Sequence, residues 1–202
     1  MLGDGQGRGV QFHNCLMDDC NAKLIRGAAG ALLHYRKHKP KNETKTQRLD
    51  RGRETDTWWK LADQIGGAPE DSQWFHVWDR GGDNFEAMCH IHLVGNDWVI
   101  RAAQLHRNLL TQDDRKIPLS EAIDEARLLG SYELSLRSRP ETPARTAKIE
   151  VPVVRVRYPR PSQHSKWVKQ SGIKEWPMNV VIVQEVDTPE GVTPIRWVLL
   201  TS

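Results

Sequence analysis

Apolar and polar positions alternate near the start of the chain. Val10, Phe12 and Leu16 stand out against Gln11 and His13, the period-two pattern of a half-buried strand. Residues 18–21 supply a turn, and Leu24–Tyr35 reads as the returning strand of an antiparallel hairpin. Gly27 and Gly30 inside that strand signal a bulge or a close backbone approach. The period then changes. Trp58, Leu61, Ala62 and Ile65 recur at i, i+3, i+4 and i+7, which predicts a helix over 53–65 closed by Gly66 and Gly67, with Trp58 as a core residue. The apolar run 74–78 predicts a short buried strand that ends at Asp79. Gly81 and Gly82 free the backbone for a tight turn. Asp83 with Glu86 then reads as the N-cap signature of a helix carrying Phe85, Met88, Cys89 and His92. Gly95-Asn96 closes it, and 97–102 predicts another strand with Val99 and Arg101 on one face.

From about residue 103 the texture becomes mainly β. A helix is expected at 120–129, capped by Ser120 and stopped by Gly130. Tyr132, Leu134 and Leu136 alternate with polar neighbours. In 151–158, Arg155 and Arg157 share one face while Val154, Val156 and Tyr158 share the other, and Pro152 marks the segment as an edge strand. Residues 180–186 and 195–200 flank a turn-rich stretch and predict a hairpin with a longer loop. The expected fold class is α/β over 1–102, followed by mainly antiparallel β with a basic face.

Composition narrows the class. With 38% hydrophobic and 27% charged residues, the 202-residue chain has no apolar run near the roughly 20 residues that span a bilayer. Its first residues lack the apolar core of a signal peptide, so no membrane and a cytoplasmic location are expected. Three cysteines argue against a disulfide framework. Cys89, His90 and His92 do not all face one ion from a helix, so a partly buried helix is expected there rather than zinc. The net charge of +3 conceals an asymmetry. Residues 36–53 hold eight Lys/Arg against Glu43 and Asp50, and 137–174 hold ten against Glu141 and Glu150. Two basic segments on an acidic body point to a polyanion partner, with the lysine-rich 38–45 as a loop too polar to pack.

A carboxylate held at a strand end suits divalent-cation chemistry on phosphodiesters, because hard cations prefer oxygen ligands. Asp79 is the candidate ligand; by pattern it reads equally as a turn residue leading into the next helix. Asp4, Asp18 and Asp19 fall in loops and Asp187 in a turn.

The residues from Trp78 to Asp83 resemble the D-R-x-x-D segment around the second acidic residue of the DDE transposases of the insertion-sequence-four family. The similarity extends to the hairpin from Leu2 to His34, the Glu54–Leu61 stretch with its E-x-x-x-W pattern, Trp98-Val-Ile-Arg101, and the terminal run from Gly191 through Thr193, Pro194 and Trp197 to Thr201-Ser202. The resemblance implies an RNase H-like catalytic core, incomplete here, covering 1–102. A β-rich basic insertion would occupy 103–196 and a return strand 197–202. It implies cut-and-paste DNA transposition with Mg2+ or Mn2+, transposon ends as the DNA partner, and a full-length transposase as a possible second partner. Asp79 would be the second metal-binding aspartate and Arg101 a DNA contact. Trp197 would be the aromatic on which a flipped base stacks, or else a core residue of a terminal strand. Arg155 and Arg157 are the candidate DNA contacts of the insertion. The family's first catalytic aspartate would precede Leu2 and its catalytic glutamate would follow Ser202, so the chain is expected to be inactive alone. The alternative expectation is a non-catalytic DNA-binding or transposase-inhibiting module.

Overall fold

The computed structural model describes residues 10–35, 41–44, 47, 53–138 and 143–202. Apart from 41–44, the basic loop predicted at 38–45 lies outside them. In chain order the first half comprises β1 (Val10–Asp19), β2 (Leu24–Tyr35), α1 (Asp56–Ile65), β3 (Phe75–Trp78), a 3-10 turn (Arg80–Gly82), α2 (Phe85–Leu93) and β4 (Asp97–Arg101). The second half comprises β5 (Asn108–Leu110), β6 (Lys116–Pro118), α3 (Leu119–Asp124), β7 (Arg127–Leu136), β8 (Arg145–Pro159), α4 (Lys166–Gln170), β9 (Glu175–Val186) and β10 (Arg196–Thr201). The fold is mixed α/β, with a mostly antiparallel sheet and few helices. Two compact units interleave along the sequence. One holds the described residues up to His76 with Asn84–Asp97 and Pro161–Ile173; the other holds Val77–Asp83, Trp98–Arg160 and Lys174–Ser202.

In the first unit β1 and β2 form the expected antiparallel hairpin, from Val10 opposite Tyr35 to Asp19 opposite Leu24. The turn lies slightly later than expected, after Asp19. The Asp19 carboxylate accepts hydrogen bonds from the Asn21 and Ala22 amides (3.0 and 2.9 Å) and from Arg26 (2.8 Å). The Ala22 amide and then Arg26 hold this carboxyl below its usual range. Both glycine readings hold. Register shifts flank Leu16 and Met17, opposite the Gly27–Gly30 stretch, where Gly27 has φ 151°. A Cβ on Gly30 would stand 2.9 Å from Leu61 Cδ1, so α1 approaches β2 closely there. Trp58 is half-buried, edge-on to His13 at 4.4 Å.

Helix α1 begins at Asp56, three residues later than expected. The Asp56 carboxylate accepts the Arg53 amide (2.6 Å) and its guanidinium Nε (3.1 Å), which holds residues 53–55 in a turn before the helix. Gly66, with φ 82°, ends it. Helix α2 is capped by Asn84, whose side chain accepts the Ala87 amide at 2.8 Å, and not by Asp83 as the spacing suggested. On α2, His90 lies flat between two indoles, 4.1 Å from Trp59 and 3.8 Å from Trp167 of α4. Its Nδ1 is 2.8 Å from an Asp63 carboxylate oxygen.

The large sheet has strand order β3-β4-β10-β9-β8-β5-β6, with β7 also paired to β8. Ladder register fixes its faces. Ile100, Leu200, Val180 and Val154 align across four strands, and Met178 with Val156 and Trp176 with Tyr158 continue that side; all but Val154 are buried. Three expectations change here. Strand β3 is an edge strand and only half buried: His76 and Trp78 point inward, whereas Phe75 and Val77 are 54% and 75% exposed. Helix α3 stops at Asp124, because from Arg127 the chain pairs with β8 instead of continuing the turn pattern to 129. Strand β8 is interior, not an edge. Pro152 is tolerated because β7 bulges between Leu128 and Gly130 and the β8–β9 ladder skips Val151 and Pro152.

Candidate nucleic-acid interface

Asp79 follows β3 directly, with extended backbone (φ −77°, ψ −179°), and its carbonyl accepts the Gly82 amide at 2.9 Å. The turn is tight for a reason other than positive φ, which neither Gly81 nor Gly82 has. A Cβ on Gly82 would stand 2.5 Å from the Trp78 ring, so only glycine lets the chain fold back over that indole. The Asp79 side chain is exposed and makes no capping hydrogen bond; among the described residues it has no ion-pair partner.

The Trp74 carbonyl accepts the Asp97 amide at 2.9 Å, which joins the start of β3 to the start of β4. The two strands therefore run parallel, as the α2 crossover between neighbours requires. The same bond sets Phe75 beside Asp97, and two-residue steps then bring Asp79 beside Arg101. Across the next ladder Arg101 pairs with Leu199, so Trp197, two residues earlier on the antiparallel β10, shares the face of Arg101 and extends past it. The Arg101 guanidinium carbon lies 6.0 Å from the Trp197 ring centroid. Trp197 is 47% exposed, so it is not a core residue. Asp79, Arg101 and Trp197 thus form a row across one end of β3, β4 and β10.

Arg155 and Arg157 lie on the same sheet face as Arg101, since Val153 is carried through Val181 and Leu199 to Arg101 by successive pairs. Arg155 is exposed, three strands from Arg101 and so about 14 Å across the sheet. Arg157 is differently placed. It donates to Glu175 at 2.9 Å, to the Thr111 carbonyl at 3.1 Å and to Asp114, and these carboxylates raise its pKa. Arg145 in the same basic segment is likewise committed, bidentate to Glu185, whose carboxyl it holds low.

Asp83, four residues beyond Asp79, is a buried structural acid. It accepts the Ala103 amide at 2.5 Å and lies 2.6 Å from Arg107 Nη1, while Arg107 also packs on the Tyr158 ring. Sequence reasoning missed this pair, because nothing local links Asp83 to an arginine in the loop before β5. It also missed the role of Glu86, which accepts from Arg53 (3.0 Å) and Ser165 (2.6 Å).

The divalent ions that the resemblance implies need carboxylates converging from several segments. Asp79 offers one, and among the described residues no three His, Cys, Asp or Glu side chains come together as a ligand set. These residues alone do not fit a two-ion centre. Cys89 is buried, its thiol pushed up to about 12 by burial first and by Glu86 second, and His90 is taken up by its stack. No helix among the described residues is long and apolar enough to cross a membrane. No protein-family model and no curated protein matches the chain.

Proposed function

We propose that this chain is the central segment of a DDE transposase of the insertion-sequence-four type, built on an RNase H-like core. In this reading it engages transposon-end DNA in the cytoplasm and does not cut it unaided. The observation that carries the reading is the row of Asp79, Arg101 and Trp197, which come from positions far apart in sequence to one sheet end. An exposed indole beside a cation suits a base lifted out of the duplex: the ring stacks on the base and the guanidinium meets its phosphate. Asp79 would supply one carboxylate ligand toward Mg2+ or Mn2+ when the remaining ligands come from other segments. Exposed Arg155 on the same face favours holding DNA as the activity of this chain by itself.

The test is fluorescence anisotropy with a labelled hairpin-ended duplex at low salt. Trp197→Ala should weaken binding by roughly 5- to 150-fold, the equivalent of about 1–3 kcal/mol of base stacking. Incubation of the same duplex with Mg2+ or Mn2+ should leave it intact. Equal affinities for the parent and Trp197→Ala chains would remove the stacking role, and cleavage abolished by Asp79→Ala would show a complete site.

A further inference from the structure

Asp79 and Trp197 are exposed and Arg101 is half-buried, so little packing holds these side chains, and their placement depends on the backbone beneath them. That backbone is at its least regular here. Strand β3 ends at Trp78 and β4 at Arg101, so the amides just beyond β4 need partners other than a ladder. On one side Ala102 donates to the Val198 carbonyl at 2.8 Å, next to Trp197 in sequence. On the other, Ala103 donates to Asp83 Oδ2 at 2.5 Å. The Asp83 side chain thus does for Ala103 what a longer β3 would do. The Asp83 main chain belongs to the turn that starts at Asp79: its amide donates to the Arg80 carbonyl at 3.2 Å, and the Gly82 amide to the Asp79 carbonyl at 2.9 Å. Asp83 Oδ1 in turn lies 2.6 Å from Arg107 Nη1, and the two side chains are only 0% and 4% exposed. Among the described residues, Asp83 is the acid within ion-pair reach of that guanidinium. A carboxylate with both oxygens engaged in this way has one orientation.

We infer that Asp83 is the positioning residue of the Asp79–Arg101–Trp197 row. It meets neither ion nor DNA itself. It fixes the separation of Asp79 and Arg101 by tying the turn that follows the one to the chain that follows the other. The inference rests on the nucleic-acid reading for the use of the row, and on the hydrogen bonds alone for its geometry. Arg107 has a supporting part: it engages the oxygen that Ala103 leaves free, which stops the carboxylate from rotating away. The Ala102–Val198 bond carries the same restraint to β10, so the backbone on both sides of Arg101 is held relative to Asp79 and to Trp197.

The experiment compares two double variants of the full chain, both without the buried ion pair. Asp83→Asn/Arg107→Leu keeps an oxygen that can accept the Ala103 amide, whereas Asp83→Ala/Arg107→Leu does not. Removing both charges together strands neither of them. In proton–nitrogen correlation spectra without DNA, the Asp79 and Arg101 amides and the Trp197 indole should keep their parental positions in the first variant and move in the second. A merely structural role would affect both variants alike. The labelled hairpin-ended duplex should bind the first variant within about twofold of the parent and the second about fivefold or more weakly. In the parent, the Ala103 amide should exchange with solvent at least about a hundredfold more slowly than an unstructured amide. Free exchange at Ala103 overturns the inference with no variant needed. So do double variants whose Asp79, Arg101 and Trp197 signals coincide. A protected Ala103 and the expected pattern of signals in a chain without affinity for DNA support the positioning role and remove the nucleic-acid reading instead.

Discussion

Asp79 and Asp83 are four residues apart and experience opposite electrostatic conditions. Asp79 keeps an exposed carboxylate at the end of β3, whereas Asp83 is enclosed with Arg107 and the Ala103 amide. A carboxylate meant to meet an incoming ion or phosphate region has to stay uncommitted; one that is already ion-paired and desolvated is structural. Gly82 links the two by letting the backbone lie on Trp78. Gly82→Ala should cost about 1–3 kcal/mol in chemical denaturation, as overpacking does. Gly130→Ala, where an added Cβ meets nothing within 4 Å, is the near-neutral control. His76 offers a second residue-scale expectation. Burial lowers its pKa below 6.5, and Asn96 Nδ2 is 3.0 Å from its Nε2, an arrangement that suits a neutral imidazole accepting a hydrogen bond. The folded state resists a proton that the unfolded chain accepts, so stability is full above pH 6.5 and falls as pH drops below it. The urea midpoint should therefore decrease between about pH 7.5 and about pH 5.5, and less so in His76→Gln. His13, lowered by burial as well, retains part of the slope in that variant.

At the scale of elements, period was the most informative signal. The hairpin, α1, α2, β4 and the β9–β10 pair all follow from spacing and from the glycines that end them. The errors share a physical cause: tertiary pairing overrode a local pattern. Leu128 and Leu129 extend a helical spacing after Ser120, yet Leu128 pairs with Pro152 of β8, Leu129 is the bulge beside it, and the two side chains are left exposed. Pro152 suggested an edge, but bulges on both sides let an interior strand do without its amide. Asp83 scored as a cap because Glu86 follows at the right distance; Asn84 took the cap, and the acid turned to Arg107. The resemblance points to Arg101 and Trp197 separately, but their proximity depends on β10 returning between β4 and β9, a long-range register that no local window contains.

Across the whole molecule the basic residues divide into those that are free to meet a polyanion and those consumed by the fold. Of the ten cations between residues 137 and 174, Arg145 and Arg157 are spent on Glu185, Glu175 and Asp114, while Arg155 stays exposed beside them. Under the proposed function, the salt dependence of affinity for DNA should separate the two groups. Arg155→Ala should lower the slope of log affinity against log salt by about 0.9, one released counterion. Arg157→Ala should leave the slope unchanged and instead lower the denaturation midpoint.

The stack at His90 gives the molecule an optical property as well. Two of its eight tryptophans, Trp59 and Trp167, lie in van der Waals contact with one imidazole, and indole emission depends on what its ring is stacked against. Trp167 reaches that ring from a segment far along the chain. The brightness of these two indoles therefore reports whether that segment is seated in the first unit, without any added label.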